Sequence, residues 1–178
     1  MTTGNRFTSK TRKTIPKYLT KEVIEHILDK AKKDSFRNYL VINTLWKTGL
    51  RVSELTNLRK CDIHDNAIFV IKGKGSKDRI VPLEKELDTL LHMWSDRMST
   101  REKLFKIKPR QVRNIVYKYD KSVHPHTFRH SFAVHCLKNG VNLRSLQKLL
   151  GHDYLQTTQI YLDIVAKDVR DDFDKVDW

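Results

Sequence analysis

Apolar residues recur with a helical period over the first third of the chain. Val23, Ile24, Ile27, Leu28 and Ala31 fall at i, i+3, i+4 spacing. They predict an amphipathic helix capped by Thr20 and running to about Lys33. A second predicted helix covers about Phe36 to Lys47 and is broken by Gly49; a short third one runs from Val52 to Leu58. The period then changes. "AIFVI" (67–71) and "RIVPL" (79–83) are short β-rich runs, bounded by a turn at Asp65-Asn66 and by "GKGSKD". They predict an antiparallel sheet of two or three strands. Helical spacing returns over about Glu84–Trp94, Pro109–Lys121, His126–Asn139 and Leu143–Leu150, with Gly140 and Gly151 placed to end the last two. Thr157 or Thr158 caps a further short helix carrying Tyr161, and "AKDVRDDFDKVDW" (166–178) is a weak final one. The pattern is mostly α with a small antiparallel β-sheet, an α+β class without repeats or low-complexity segments. Residues 1–18 are basic, lack apolar periodicity, and read as a flexible arm or linker.

Composition narrows the partner. The 178 residues hold 35 Lys plus Arg against 21 Asp plus Glu, a net charge of +14. An excess of that size points to a polyanion, nucleic acid before an anionic membrane surface. No apolar run is long enough to span a bilayer, and the first residues lack a signal-peptide core. Cys61 and Cys136 form no CxxC, so a disulfide framework or a zinc site is not expected, and an intracellular protein is.

Against this background a few polar residues stand out. Arg51 lies in "KTGLRVSEL" among Leu50, Val52 and Leu55, where a guanidinium either snorkels to water or lines an anion-binding cleft. His126 and Arg129 are three apart at a predicted helix N-terminus, on one face, where free N–H groups and the helix dipole favour an oxyanion. His130, four residues beyond His126, lacks the Glu of HExxH and reads as a hydrogen-bonded, semi-buried residue rather than a metal ligand. Lys74 sits on a glycine-flanked hairpin tip that is not a P-loop. His152 follows a helix-stopping glycine, and Tyr161 lies one turn into the next helix; by itself that tyrosine reads as ordinary packing.

Taken in order, "TGLRVSEL", "KGKGSKDRIVPL", "HPHTFRHSFA", "LLGH" and "TTQIY" resemble the catalytic domain of the tyrosine recombinases, phage-type integrases and Xer-like enzymes, over roughly residues 19–165. The resemblance implies that Arg51, Lys74, His126, Arg129 and His152 surround a scissile DNA phosphate and that Tyr161 is the nucleophile. His126 is then a candidate base for Tyr161, and Lys74, with Lys72 and Lys77 as neighbours, a candidate acid for the leaving 5′-oxygen. It further implies a 3′-phosphotyrosyl intermediate, strand exchange through a Holliday junction, no cofactor or metal, and a homotetramer on double-stranded DNA. The tail, 166–178, would then pack on a neighbouring subunit. The family usually adds an N-terminal helical domain that completes a clamp on DNA. Here a short basic arm precedes the resemblance, as in a catalytic domain taken alone or in a naturally minimal enzyme; without the second half of the clamp, weaker and less selective binding is expected. A type IB topoisomerase-like nicking and resealing activity, or a DNA-binding protein without catalysis, are the competing readings.

Overall fold

A stripe of Ile24, Ile27, Leu28 and Ala31 is what fixes the first helix, α1 (Lys21–Asp34), against the rest of the molecule. In this computed structural model, which describes residues 16–71, 78–151, 158–162 and 165–166, those four side chains are buried. Val23, expected on the same face, is exposed. At about 100° per residue it lies about 90° from the centre of the stripe, beyond the edge of the contact. Ser35 ends α1 and caps α2 (Phe36–Thr48), its side chain accepting from the Asn38 N–H. Every residue of α2 from Asn38 to Trp46 is buried, as expected of a helix enclosed on all sides. Most of its polar side chains find partners, although Asn43 Oδ1 is buried without one among the described residues. Thr44 Oγ1 donates to the Leu40 carbonyl at 2.7 Å, and Asn38 Nδ2 donates to the Tyr119 hydroxyl at 2.9 Å.

Gly49 stops α2 in the left-handed conformation, with φ 61°. A Cβ there would lie 2.5 Å from a ring carbon of Phe132, so glycine is required both by backbone angle and by packing. The short α3 (Val52–Asn57) follows, then a 3-10 turn at Lys60–Asp62.

The sheet has three strands, β1 (Ile63–His64), β2 (Ala67–Val70) and β3 (Arg79–Pro82), antiparallel in sequence order. Asn66, with φ 60°, makes the tight turn between β1 and β2 where Asp65-Asn66 predicts it. Ile68 pairs with Val81 and both face the core, whereas Phe69 and Ile80 on the opposite face are exposed. Helices α4 (Lys85–Ser95), α5 (Pro109–Tyr119), α6 (Pro125–Lys138) and α7 (Leu143–Leu150) complete the main elements. α5 stops two residues short of its predicted end because Asp120 takes an extended conformation and accepts from the Ser122 N–H. Residues 158–162 are helical.

The mostly helical, small-sheet architecture expected from the sequence is therefore the observed one. The larger core gathers α1 to α5, the sheet and Phe128 of α6. A smaller cluster, Ala133, Val134, Leu146, Leu150 and Tyr161, joins α6 to α7 and to the helical residues 158–162. Phe132 packs against both. Among the described residues no helix is long and apolar enough to cross a membrane. The arm up to residue 15, the hairpin tip 72–77, residues 152–157 and the tail from 167 lie outside the described residues, and with them Lys72, Lys74, Lys77 and His152.

Candidate functional site

Helix ends leave carbonyls without intrahelical partners. In this fold arginines take them. Gly49 and Gly151, each left-handed, terminate α2 and α7 side by side with α6. Arg129, on the second turn of α6 and 4% exposed, donates from Nη1 to the Gly49 carbonyl and from Nη2 to the Leu150 carbonyl, each at 2.6 Å. Arg79, at the start of β3, donates from Nε to the Leu149 carbonyl at 2.8 Å. Arg51, the N-cap of α3, donates from Nη2 to the Gly151 carbonyl at 3.4 Å. Three successive carbonyls at the C-terminal end of α7 thus receive three guanidiniums, at the helix pole where the macrodipole is negative.

Glu54 is the carboxylate these arginines share. It forms a bidentate pair with Arg79 (Nη1–Oε1 and Nη2–Oε2, both 2.8 Å) and accepts from Arg51 Nη1 at 3.1 Å and from the Arg51 backbone N–H at 2.7 Å. Burial opposes its ionisation. The Arg79 hydrogen bonds, the Arg51 N–H and both positive charges outweigh that and hold its carboxyl down at about 2. Three guanidiniums face one carboxylate, so the locus carries excess positive charge. Burial, and then the neighbouring Arg51, pull Arg129 down to about 10, which leaves it charged at neutral pH. Arg51 is the open member, its side chain 35% exposed against 6% for Arg79.

Pro125 opens α6 and places His126 in its first turn. His126 stands near Arg129 and Arg51; burial, then those two charges, lower its pKa and favour the neutral imidazole. One turn further on, His130 Nδ1 lies 2.8 Å from the Tyr161 hydroxyl. Tyr161 is 3% exposed; burial raises its phenol pKa, with Arg129 acting in the opposite direction. Burial, then His126 and Arg129, lower the pKa of His130 as well.

Of the six residues singled out in the sequence, Arg51, His126, Arg129 and Tyr161 are described, and they converge around the N-terminal half of α6. Lys74 and His152 lie outside the described residues. The Tyr161 hydroxyl pairs with His130, which the sequence marked as a hydrogen-bonded, semi-buried residue, while His126, the candidate base, makes no hydrogen bond to it. Glu54 and Arg79 belong to the same locus but do not stand out in the sequence. Their signals were a glutamate three residues after Arg51, the capping-box spacing, and a charged residue in phase with the inward-facing Val81. The arrangement can bind an oxyanion through several N–H donors with a phenol alongside.

Comparison with known proteins shows the family and the fold. The model of the phage integrase family matches residues 17–167. A tyrosine recombinase of Pseudothermotoga lettingae is 42% identical over 94% of this chain and 63% of its own length. The chain therefore spans under two thirds of that relative. The crystal structure of XerA recombinase superposes with a TM-score of 0.76 at 31% identity, over 92% of this chain and 67% of that one. XerH site-specific recombinase, in a post-cleavage complex with a palindromic difH substrate, gives a TM-score of 0.70 at 25% identity, over 90% of this chain and 53% of that one.

Proposed function

This chain belongs to the phage integrase family, and from that premise we propose that it cleaves and rejoins double-stranded DNA as a site-specific tyrosine recombinase. The observation that carries the proposal is the meeting of Arg51, His126 and Arg129 with the Tyr161 hydroxyl beside it. A phosphodiester repels nucleophiles because its oxygens are negative. Arg51 and Arg129 each retain N–H donors beyond those spent on backbone carbonyls, and grip the non-bridging oxygens. Because carbonyls and Glu54 hold both guanidiniums in place, little reorganisation remains when charge develops on the phosphorane oxygens.

The Tyr161 oxygen then attacks phosphorus, the P–O5′ bond breaks, and the 5′-oxygen leaves with a proton for which Lys74 is the proposed donor. His152 is a proposed further donor to the phosphate. The product is a 3′-phosphotyrosyl link and a free 5′-hydroxyl. A 5′-hydroxyl from another strand reverses the step, and two rounds through a Holliday junction exchange duplexes. Bond energy stays in the phosphotyrosyl link throughout. The net charge of +14 supports the DNA contacts, and a homotetramer on DNA is the proposed assembly.

The test is covalent trapping. Nicked suicide duplexes from a random-sequence pool, incubated with the protein in EDTA, should yield an SDS-resistant adduct that Tyr161→Phe abolishes. DNA binding without any adduct would count against the proposal.

A further inference from the structure

The nucleophile of the proposed reaction needs somewhere to send its proton. An unperturbed tyrosine has a pKa of about 10 and is a weak nucleophile at neutral pH. A general base must lie within hydrogen-bond reach of the proton it takes. Two histidines flank Arg129. His126 makes no hydrogen bond to Tyr161 and stands near Arg51 and Arg129, where an anion would bind. His130 sits one turn further along α6, with its ring tilted against that of Tyr161 at a centroid distance of 5.8 Å and Nδ1 2.8 Å from the hydroxyl.

We propose that His130 is the proton acceptor for Tyr161, its Nδ1 taking the hydroxyl proton as the phenolic oxygen attacks phosphorus. The inference rests on the recombinase reading above. The step balances: the Oη–H bond breaks, Nδ1–H and Oη–P form, and P–O5′ breaks with the leaving oxygen protonated from elsewhere. On rejoining, the imidazolium returns the proton to Oη as tyrosine departs. Nδ1 must begin unprotonated, with the ring hydrogen on Nε2.

The charged and titratable groups facing His130 account for its timing. Among the described residues these are His126 and Arg129 from its own helix, and Tyr161 from the segment packed across it. The remainder of the cluster beside Tyr161, Leu146 and Leu150 of α7, is apolar. Burial, and then the positive charge of Arg129 and of His126 when it is protonated, disfavour an imidazolium in the free protein. A DNA phosphate bound between Arg51 and Arg129 would offset the charges though not the burial, so the base strengthens when substrate arrives. His126 is left as a phosphate ligand.

The experiment is single-turnover adduct formation across pH 5.5–8 on a nicked duplex recovered from the trapped pool. The same duplex is also made with a 5′-bridging phosphorothiolate, whose thiolate leaves without a proton. His130→Asn keeps an acceptor near the Nδ1 position but cannot be protonated. It should slow adduct formation about 10²-fold or more on both duplexes and lose the acid limb of the pH profile, with DNA binding unchanged. A variant within threefold of wild type with the limb intact would overturn the proposal, as would a defect confined to the oxygen leaving group. A wild-type protein that forms no adduct would sink the parent reading and this one with it, whereas a reactive wild type beside an unimpaired His130→Asn sinks this one alone. Independently of any variant, nitrogen NMR of the wild-type protein should show His130 neutral with hydrogen on Nε2; hydrogen on Nδ1 would contradict the proposal.

Discussion

Removing the negative charge of Glu54 should destabilise the protein in a strongly pH-dependent way. Glu54→Gln keeps the shape and one acceptor oxygen but leaves the Arg79 guanidinium, 6% exposed, without its bidentate anion. The Glu54 carboxyl lies at about 2 in the folded protein against an ordinary 4.5. That shift corresponds to about 3 kcal/mol of stability at neutral pH, an order of magnitude consistent with breaking a buried ion pair. Because the folded value is depressed, the contribution is complete above the unfolded value and is lost as pH falls towards 2. Urea unfolding of both proteins at pH 7, 4 and 3 measures the difference. It should be about 3 kcal/mol at pH 7, slightly less at pH 4, and about half at pH 3. A difference that does not change with pH, or one below about 1 kcal/mol at pH 7, would refute the claim that ion pairing with the arginines holds this locus together.

Other consequences follow from the same geometry. Gly49→Ala meets both a left-handed backbone and the Phe132 ring, and should lower stability by about 1–3 kcal/mol in urea unfolding. Because the Gly49 carbonyl holds Arg129, the same variant should lose adduct formation beyond what unfolding explains; full activity would show that this contact does not position the guanidinium. Burial pushes the Cys136 thiol up to about 11, so mass-resolved alkylation at pH 8 should label it about 10²-fold more slowly than an unburied thiol. Binding to any duplex should weaken steeply with salt, with a log–log slope well beyond −1. A flat response would remove the electrostatic basis for the DNA partner.

How far the site could be read from the sequence depended on whether each role was local. Arg51, His126 and Arg129 stood out because a charge beside apolar neighbours, or two basic residues three apart at a helix start, is visible without a fold. The ends of α2 and α7 were marked by Gly49 and Gly151, since glycine at a left-handed position is a local necessity. That those glycines leave carbonyls for arginines 80 and 100 residues away was not legible, because it depends on how the helices dock. The bond between His130 and Tyr161, 31 residues apart, is of the same kind. So is the inward turn of Arg79, which the alternation of β3 hinted at but which only Glu54 explains. Val23 shows the opposite error, a residue that fits the apolar spacing yet lies past the edge of the buried face.

The central claim is that Tyr161 becomes joined to DNA. The most direct measurement is to digest the trapped adduct with nuclease and trypsin and sequence the nucleotide-bearing peptide by mass spectrometry. Residues 149–167 form one tryptic peptide holding both Tyr154 and Tyr161, so fragmentation must tell them apart. The account predicts the nucleotide on Tyr161, linked through a 3′-phosphate. A nucleotide on Tyr154, on a serine, or through a 5′-phosphate would contradict it.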